Sequence, residues 1–314
     1  MLVKRFARFG KLAVLVAALL AVLIAALAAT TLVVNQTVIH RARRWPAASD
    51  AVSVRSFSAF ISRIDALPDC PRLKRSSLGR ARYRGSAYPL IVLSFPAPSN
   101  LLGTAKVLLV SGMHGNETAG IEALVQLADR LAHEPALYLG LTIDIVPIAN
   151  PWGWVHSKRY NGTGEDPNRD FASQRTQEAV LLRNLVRAKG PYDLVIDLHE
   201  SRKSGYFMYR YVGNDGGLSS AYTAVLKKRG VRRESEYREA LFRVKDGVIT
   251  IPNLALWFAW AARRLAFDHY TRLHGTRLSF TLESPLQEPF GARVATHLEA
   301  LHTLIQAFTE RHDT

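Results

Sequence analysis

The sequence predicts an α/β domain of three layers, a mixed β-sheet with helices on both faces. Three observations predict it. Short apolar runs of strand length alternate with longer segments of helical spacing. The 314 residues are 48% hydrophobic, enough for one large core. Polar residues with chemical capability stand where the apolar runs stop, as in V110-S-G-M-H-G-N-E117.

Taken in order, the chain begins with an uncharged stretch from Leu12 to Val34, 23 residues long. At ~1.5 Å per residue it reaches across a hydrocarbon core ~30 Å thick, so residues 1–35 read as a transmembrane anchor. A cleaved signal peptide is the rival, because A26-L-A28 fits a small-x-small cleavage site. Lys4, Arg5, Arg8 and Lys11 precede the segment, and a short basic N-terminus favours retention in the cytoplasm. Either way the remainder is expected outside the cytoplasmic membrane. Residues 36–55, polar and basic with Pro46, read as a linker to a single catalytic domain at 56–314.

Within that domain, Ser56–Leu67 has helical spacing. Arg80–Phe95 reads as a hairpin turning at Gly85. Lys106–Ser111 is a short buried strand, Thr118–Leu131 an amphipathic helix and Leu141–Ile148 a further strand, closed by N150-P-W-G153. Residues 154–173 form a polar loop, followed by a helix at Gln174–Lys189 that ends at Gly190-Pro191. Leu194–Leu198 is a buried strand, Tyr206–Val212 another, and Ala221–Arg229 a helix. Ile251–Phe267, apolar and aromatic, is expected to be a buried helix. A last strand at Ser279–Leu282 and a helix at Val294–Phe308 complete the chain.

Composition narrows the chemistry. A single cysteine, Cys70, excludes an internal disulfide framework and a cysteine-based zinc site, so any metal must be held by histidine and carboxylate. The formal charge of +15 is partly local to the N-terminal segment and otherwise spread along the chain, which suits an anionic membrane or cell-wall surface. No basic motif with interleaved aromatics points to nucleic acid.

His114 and Glu117 follow one predicted strand, Asn150 another, His199 and Glu200 a third, and Glu283 a fourth. Ligands of open α/β sheets bind beyond the carboxyl ends of the strands, so these residues are expected to meet there. A catalytic zinc commonly takes two histidines and one glutamate and keeps a fourth position for water. The H-x-x-E spacing lets one loop supply His114 and Glu117, and His199 completes the set. A further carboxylate is then needed as general base, and Glu283 is the candidate. Glu200 is expected to point away from His199. Asp197, two residues before His199, is placed to orient it.

The loop N150-P-W-G-W-V-H-S-K-R-Y-N-G-T-G-E-D-P-N-R-D-F171 extends the pattern. His114/Glu117, the N-P-x-G turn, Arg159, the D-x-N-R-x-F element at 166–171, His199 and Glu283 occur in that order. In this the chain resembles the zinc carboxypeptidases of the carboxypeptidase A type and their relatives, the succinylglutamate desuccinylases and aspartoacylases, over roughly residues 105 to 285. The resemblance implies a Zn2+ ion on His114, Glu117 and His199. It implies that Glu283 is the base, that Arg159 stabilises an oxyanion, and that Asn168 and Arg169 grip a substrate carboxylate, which suits the bidentate fork of arginine. Tyr270 is the candidate for the tyrosine that carboxypeptidases place over the substrate terminus; His269 and His156 read as bystanders. Trp152, where many peptidases have aspartate, and Pro167 depart from the pattern and leave the branch open. The implied activity is hydrolysis of an amide bond beside a free carboxylate, on a peptide such as those of the cell wall. Deacylation of an N-acyl amino acid is the alternative, and a binding protein with an inactive site a third reading.

Overall fold

The computed structural model describes residues 53–312 except 102, 240 and 241, with a few isolated positions between 16 and 23. The anchor expected at 1–35 and most of the linker lie outside the described residues. Among the described residues, no helix is long and apolar enough to cross a membrane.

Helix α1 (Phe57–Asp65) starts where the Ser56 side chain accepts a hydrogen bond from Ala59 N, and it buries Phe60 and Ile64. A hairpin of β1 (Lys74–Tyr83) and β2 (Ser86–Phe95) follows; its first strand starts earlier than the apolar pattern suggested, because the first residues of β1 are exposed. Then come β3 (Ala105–Ser111), α2 (Ala119–His133), β4 (Leu141–Val146) and a short α3 (Pro151–Val155). A single 3-10 turn at Pro167–Arg169 interrupts the polar loop before α4 (Gln177–Lys189). The second half contains β5 (Leu194–Ser201), β6 (Phe207–Tyr211), α5 (Leu218–Lys228), the two-residue strands β7 (Arg238–Glu239) and β8 (Phe242–Arg243), and β9 (Val248–Ile251). It ends with α6 (Asn253–Ala261), α7 (Phe267–Leu273), β10 (Leu278–Pro285) and α8 (Phe290–His312).

Eight strands form one mixed sheet in the order β1-β2-β4-β3-β5-β10-β6-β9. The four central strands β4, β3, β5 and β10 run parallel, which brings their carboxyl ends to one edge. Side chains alternate across this sheet. Val107 and Leu109 of β3, Leu194, Ile196 and Leu198 of β5, and Phe280 and Leu282 of β10 enter a core shared with α1, α2, α5 and α8. Leu108, Val110 and Val195 enter a second core under α4 and α7. Each fully buried Leu, Ile or Phe contributes ~1.5–3 kcal/mol, so these two cores dominate stability. The result is the expected three-layer arrangement.

One element departs from expectation. Ile251–Phe267 is not a buried helix. Pro252 opens α6, Arg263 at φ +52° ends it, and α7 starts separately. The outer side of α6 stays exposed, with Leu254 at 64% and Trp257 at 59%. Periodicity does not separate a buried helix from an apolar one at the surface.

Candidate metal centre

The H-x-x-E loop is built by close backbone packing. Gly112 turns the chain out of β3 at φ +64°. A Cβ on Gly115 would lie 1.8 Å from the carbonyl carbon of Gly153, so only glycine lets this loop rest on α3. Asn150 caps α3 by accepting from Gly153 N at 2.9 Å, and its own N–H donates to Gly112 O at 2.9 Å. The N-P-W-G turn is therefore the seat of the loop that carries His114 and Glu117.

On the sheet, β5 and β10 pair in parallel with Glu283 opposite His199 and Thr281 opposite Asp197. Alternation puts Asp197, His199, Thr281 and Glu283 on one face. Glu200 falls on the other, as its place beside His199 required, and it is buried rather than exposed. Its Oε2 accepts from the amides of Thr118 and Ala119 at the start of α2, at 2.6 and 3.2 Å, and its Oε1 pairs with Arg293 of α8.

His114, Glu117 and His199 are all buried, and one ligand atom from each lies within 4.8 Å of the others. Nδ1 of His114 is 2.8 Å from Glu117 Oε1, Nδ1 of His199 is 2.8 Å from Glu117 Oε2, and the two Nδ1 atoms are 3.2 Å apart. The opposite nitrogens face carboxylates: Nε2 of His199 lies 2.9 Å from Asp197 Oδ2, and Nε2 of His114 lies 3.3 Å from Asp166 Oδ1. A carboxylate accepts and does not donate, so it draws the ring proton to Nε2 and turns both Nδ1 lone pairs inward. Two inward lone pairs and a carboxylate at these separations repel one another unless a proton or a metal cation lies among them. The donor set fits a single metal ion with one position left for solvent or substrate.

Electrostatics agree. Burial opposes ionisation of Glu117, yet His114 and His199 hold its carboxyl down to about 2. Asp166 is buried too and is held well below the ordinary range by His114, Arg159 and Arg169. Burial works against a charged His199, but Asp197 and Glu117 raise it well above 6.5. Glu283 differs: burial is the largest influence and lifts its carboxyl to about 8, and its Oε2 is a buried oxygen without a hydrogen-bond partner.

The structure places Arg159 over the cluster, NH1 3.3 Å from Glu117 Oε1 and NH2 3.1 Å from Asp166 Oδ2. Asn168 is buried; its Oδ1 accepts from Phe267 N at 2.9 Å and its Nδ2 sits 3.3 Å from His199 Nε2. Arg169 donates to Asn168 O at 3.0 Å and faces the cleft. Tyr270 is a correction. It is fully buried between Phe171, His274 and Arg183 in the core under α7, so it does not reach substrate. The tyrosines that line the cleft are Tyr160, Tyr209 and Tyr237. His269 also lines it, whereas His156 stacks on Trp152. Asp166 was legible only as part of D-x-N-R; its contacts with His114 and Arg159 depend on how the polar loop folds back, which no local pattern announces. The cleft has a volume of about 910 Å³ and opens from the metal cluster toward β8 and α6.

Residues 103–231 match the succinylglutamate desuccinylase/aspartoacylase catalytic domain. Carboxypeptidase 2 of Trichophyton rubrum is 34% identical over 99 residues, which are 30% of this chain and 18% of the fungal protein. The chain thus spans under a fifth of that relative's length. The family match covers less than half of the chain. Solved metallo-carboxypeptidases share its fold. A metallo-carboxypeptidase from Burkholderia cenocepacia superposes with a TM-score of 0.64 at 19% identity, covering 82% of this chain and 70% of that one. A metallo-carboxypeptidase from Pseudomonas aeruginosa, bound to (2-guanidinoethylmercapto)succinic acid, gives 0.60 at 18% identity over 82% and 70%.

Proposed function

We propose that the protein is a zinc-dependent hydrolase that cleaves an amide bond beside a free carboxylate. One observation carries the reading: the inward-facing Nδ1 atoms of His114 and His199 meet Glu117 within 4.8 Å, and the strand register sets Glu283 beside them. A bound zinc ion would supply Lewis acidity toward the scissile carbonyl and lower the pKa of water at its open position.

The chain's own groups do the rest. His114, Glu117 and His199 hold the ion; Asp166 and Asp197 hold the imidazoles. The Glu283 carboxylate takes a proton from the attacking water and passes it to the leaving amine. Its Oε2 has no hydrogen-bond partner that would compete for that proton. Arg159 donates N–H groups to the oxygen that gains charge as the carbonyl becomes tetrahedral. Arg169, with Asn168 beneath it, receives the substrate carboxylate.

We infer a domain at 56–314 held outside the cytoplasmic membrane by residues 1–35. Peptides of the cell wall are the natural substrates there. The match of residues 103–231 to the desuccinylase/aspartoacylase catalytic domain favours a second reading, removal of an acyl group from an N-acyl amino acid.

Muropeptides and a panel of N-acyl amino acids, incubated with the protein and read by mass spectrometry, separate the two. Glu283→Gln should keep about one zinc per chain and lose ~10²–10⁴-fold in turnover. Full activity in that variant would remove Glu283 from the mechanism. Stoichiometric metal with no turnover on any substrate would leave a binding protein.

A further inference from the structure

The cleft's far wall has a second side. Helix α6 turns Leu256 into a small apolar cluster with Val244, Ile249 and Ile251. Ala255 and Ala259 line the cleft. The remaining face carries Leu254, Trp257, Phe258 and Trp260, exposed by 64%, 59%, 42% and 54%. The first three follow i, i+3, i+4 spacing, and Trp260 stacks edge-on with Trp257 at 6.3 Å. Isolated exposed apolar residues are ordinary, but four large ones on one nine-residue helix form a patch that marks an interaction surface.

Charge and composition select the occupant. Arg263 is exposed just after the end of α6. The patch thus ends at a cation, on a chain of net charge +15. Tryptophan, with an apolar body and one N–H donor, favours the boundary between hydrocarbon and water. The helix is about 14 Å long, too short to cross a bilayer, so it would lie flat.

We propose that α6 is a membrane-docking element that seats Leu254, Trp257, Phe258 and Trp260 in the headgroup layer of an anionic bilayer, with Arg263 against lipid phosphates. This rests on α6 and Arg263 alone, independently of residues 1–35 and of the proposed reaction. Because Ala255 and Ala259 belong to the same helix, docking sets the cleft mouth at the lipid surface, where substrates tethered to that surface arrive.

The full chain carrying Trp45→Phe, which removes the tryptophan next to the inferred anchor, tests it with nanodiscs of phosphatidylcholine, alone or mixed with phosphatidylglycerol, using brominated acyl chains as a depth-limited quencher of tryptophan emission. Emission should be quenched in the anionic discs, and the quench should be lost in Trp257→Phe/Trp260→Phe, which keeps the apolar face but removes the reporters. Arg263→Gln should weaken it. Quenching that survives in the double tryptophan variant would place the bilayer at another tryptophan and overturn the proposal. So would equal quenching in neutral discs, or unquenched emission with two crosslinked copies joined through α6, which would make the occupant a second chain.

Discussion

Each imidazole of the metal cluster is fixed by an acid on its far side, and that arrangement ties metal binding to protons. Burial works against a charged His199, but Asp197 and Glu117 raise it well above 6.5, so without metal its doubly protonated form is favoured. A cation displaces one of those protons. Calorimetry in buffers of different ionisation enthalpy should show proton release on metal uptake, and affinity should weaken about tenfold per pH unit as pH falls below neutrality. Asp197→Asn should cost about 10–100-fold in metal affinity. Glu283 behaves in the opposite sense. Its folded carboxyl titrates near 8 against an ordinary 4.5, chiefly through burial. Between those values the unfolded chain has already released this proton, so the metal-free protein loses stability as pH rises through the window. Glutamine carries no charge, so metal-free Glu283→Gln should melt above the wild type at pH 9 and close to it at pH 4. Melting curves in excess chelator check this. At this scale the sequence was informative where a motif names the residue: His114, Glu117 and His199 do meet. It was silent on Asp166, and Tyr270 was misplaced: sequence shows a tyrosine near the site but not that the first turn of α7 directs it inward.

Elements were legible where one face is apolar and the ends carry stop signals. The hairpin, β3, α2, β5 and β10 follow their apolar patterns to within a few residues. Boundaries shifted where function intrudes: β5 runs on to Ser201, so His199 and Glu200 sit inside a strand rather than after it. That makes Glu200 a structural joint between β5, the first amides of α2 and Arg293 of α8. Glu200→Ala would leave Arg293, 11% exposed, facing no anion. It should cost about 3–5 kcal/mol in chemical unfolding. The metal set should loosen as well, because α2 follows directly from the His114–Glu117 loop. Helix α6 was misread because an all-apolar segment gives no phase from which to tell its outer side.

For the whole molecule, alternation of strands and helices indicated the layers, but not the order β1-β2-β4-β3-β5-β10-β6-β9. That order depends on long-range pairing, such as β10 inserting between β5 and β6, which no window of sequence contains. The metal would join the β3–α2 loop to β5, two segments distant in sequence. Chelation should therefore lower the melting temperature of the entire domain in one transition. The stabilisation lost is about 2.7 kcal/mol if the ion had been present at 100 times its dissociation constant. Calorimetry before and after chelator treatment measures it.

The pairing of Glu283 with His199 across neighbouring parallel strands has an evolutionary consequence. The separation of Glu283 and His199 is written into the amide ladder, not into either side chain. Loops at the cleft rim are then free to change length and composition while this pair keeps its spacing. New substrates become reachable by remodelling the rim, whereas a one-residue insertion within β10 would turn Glu283 to the opposite side of the sheet and silence every one of them.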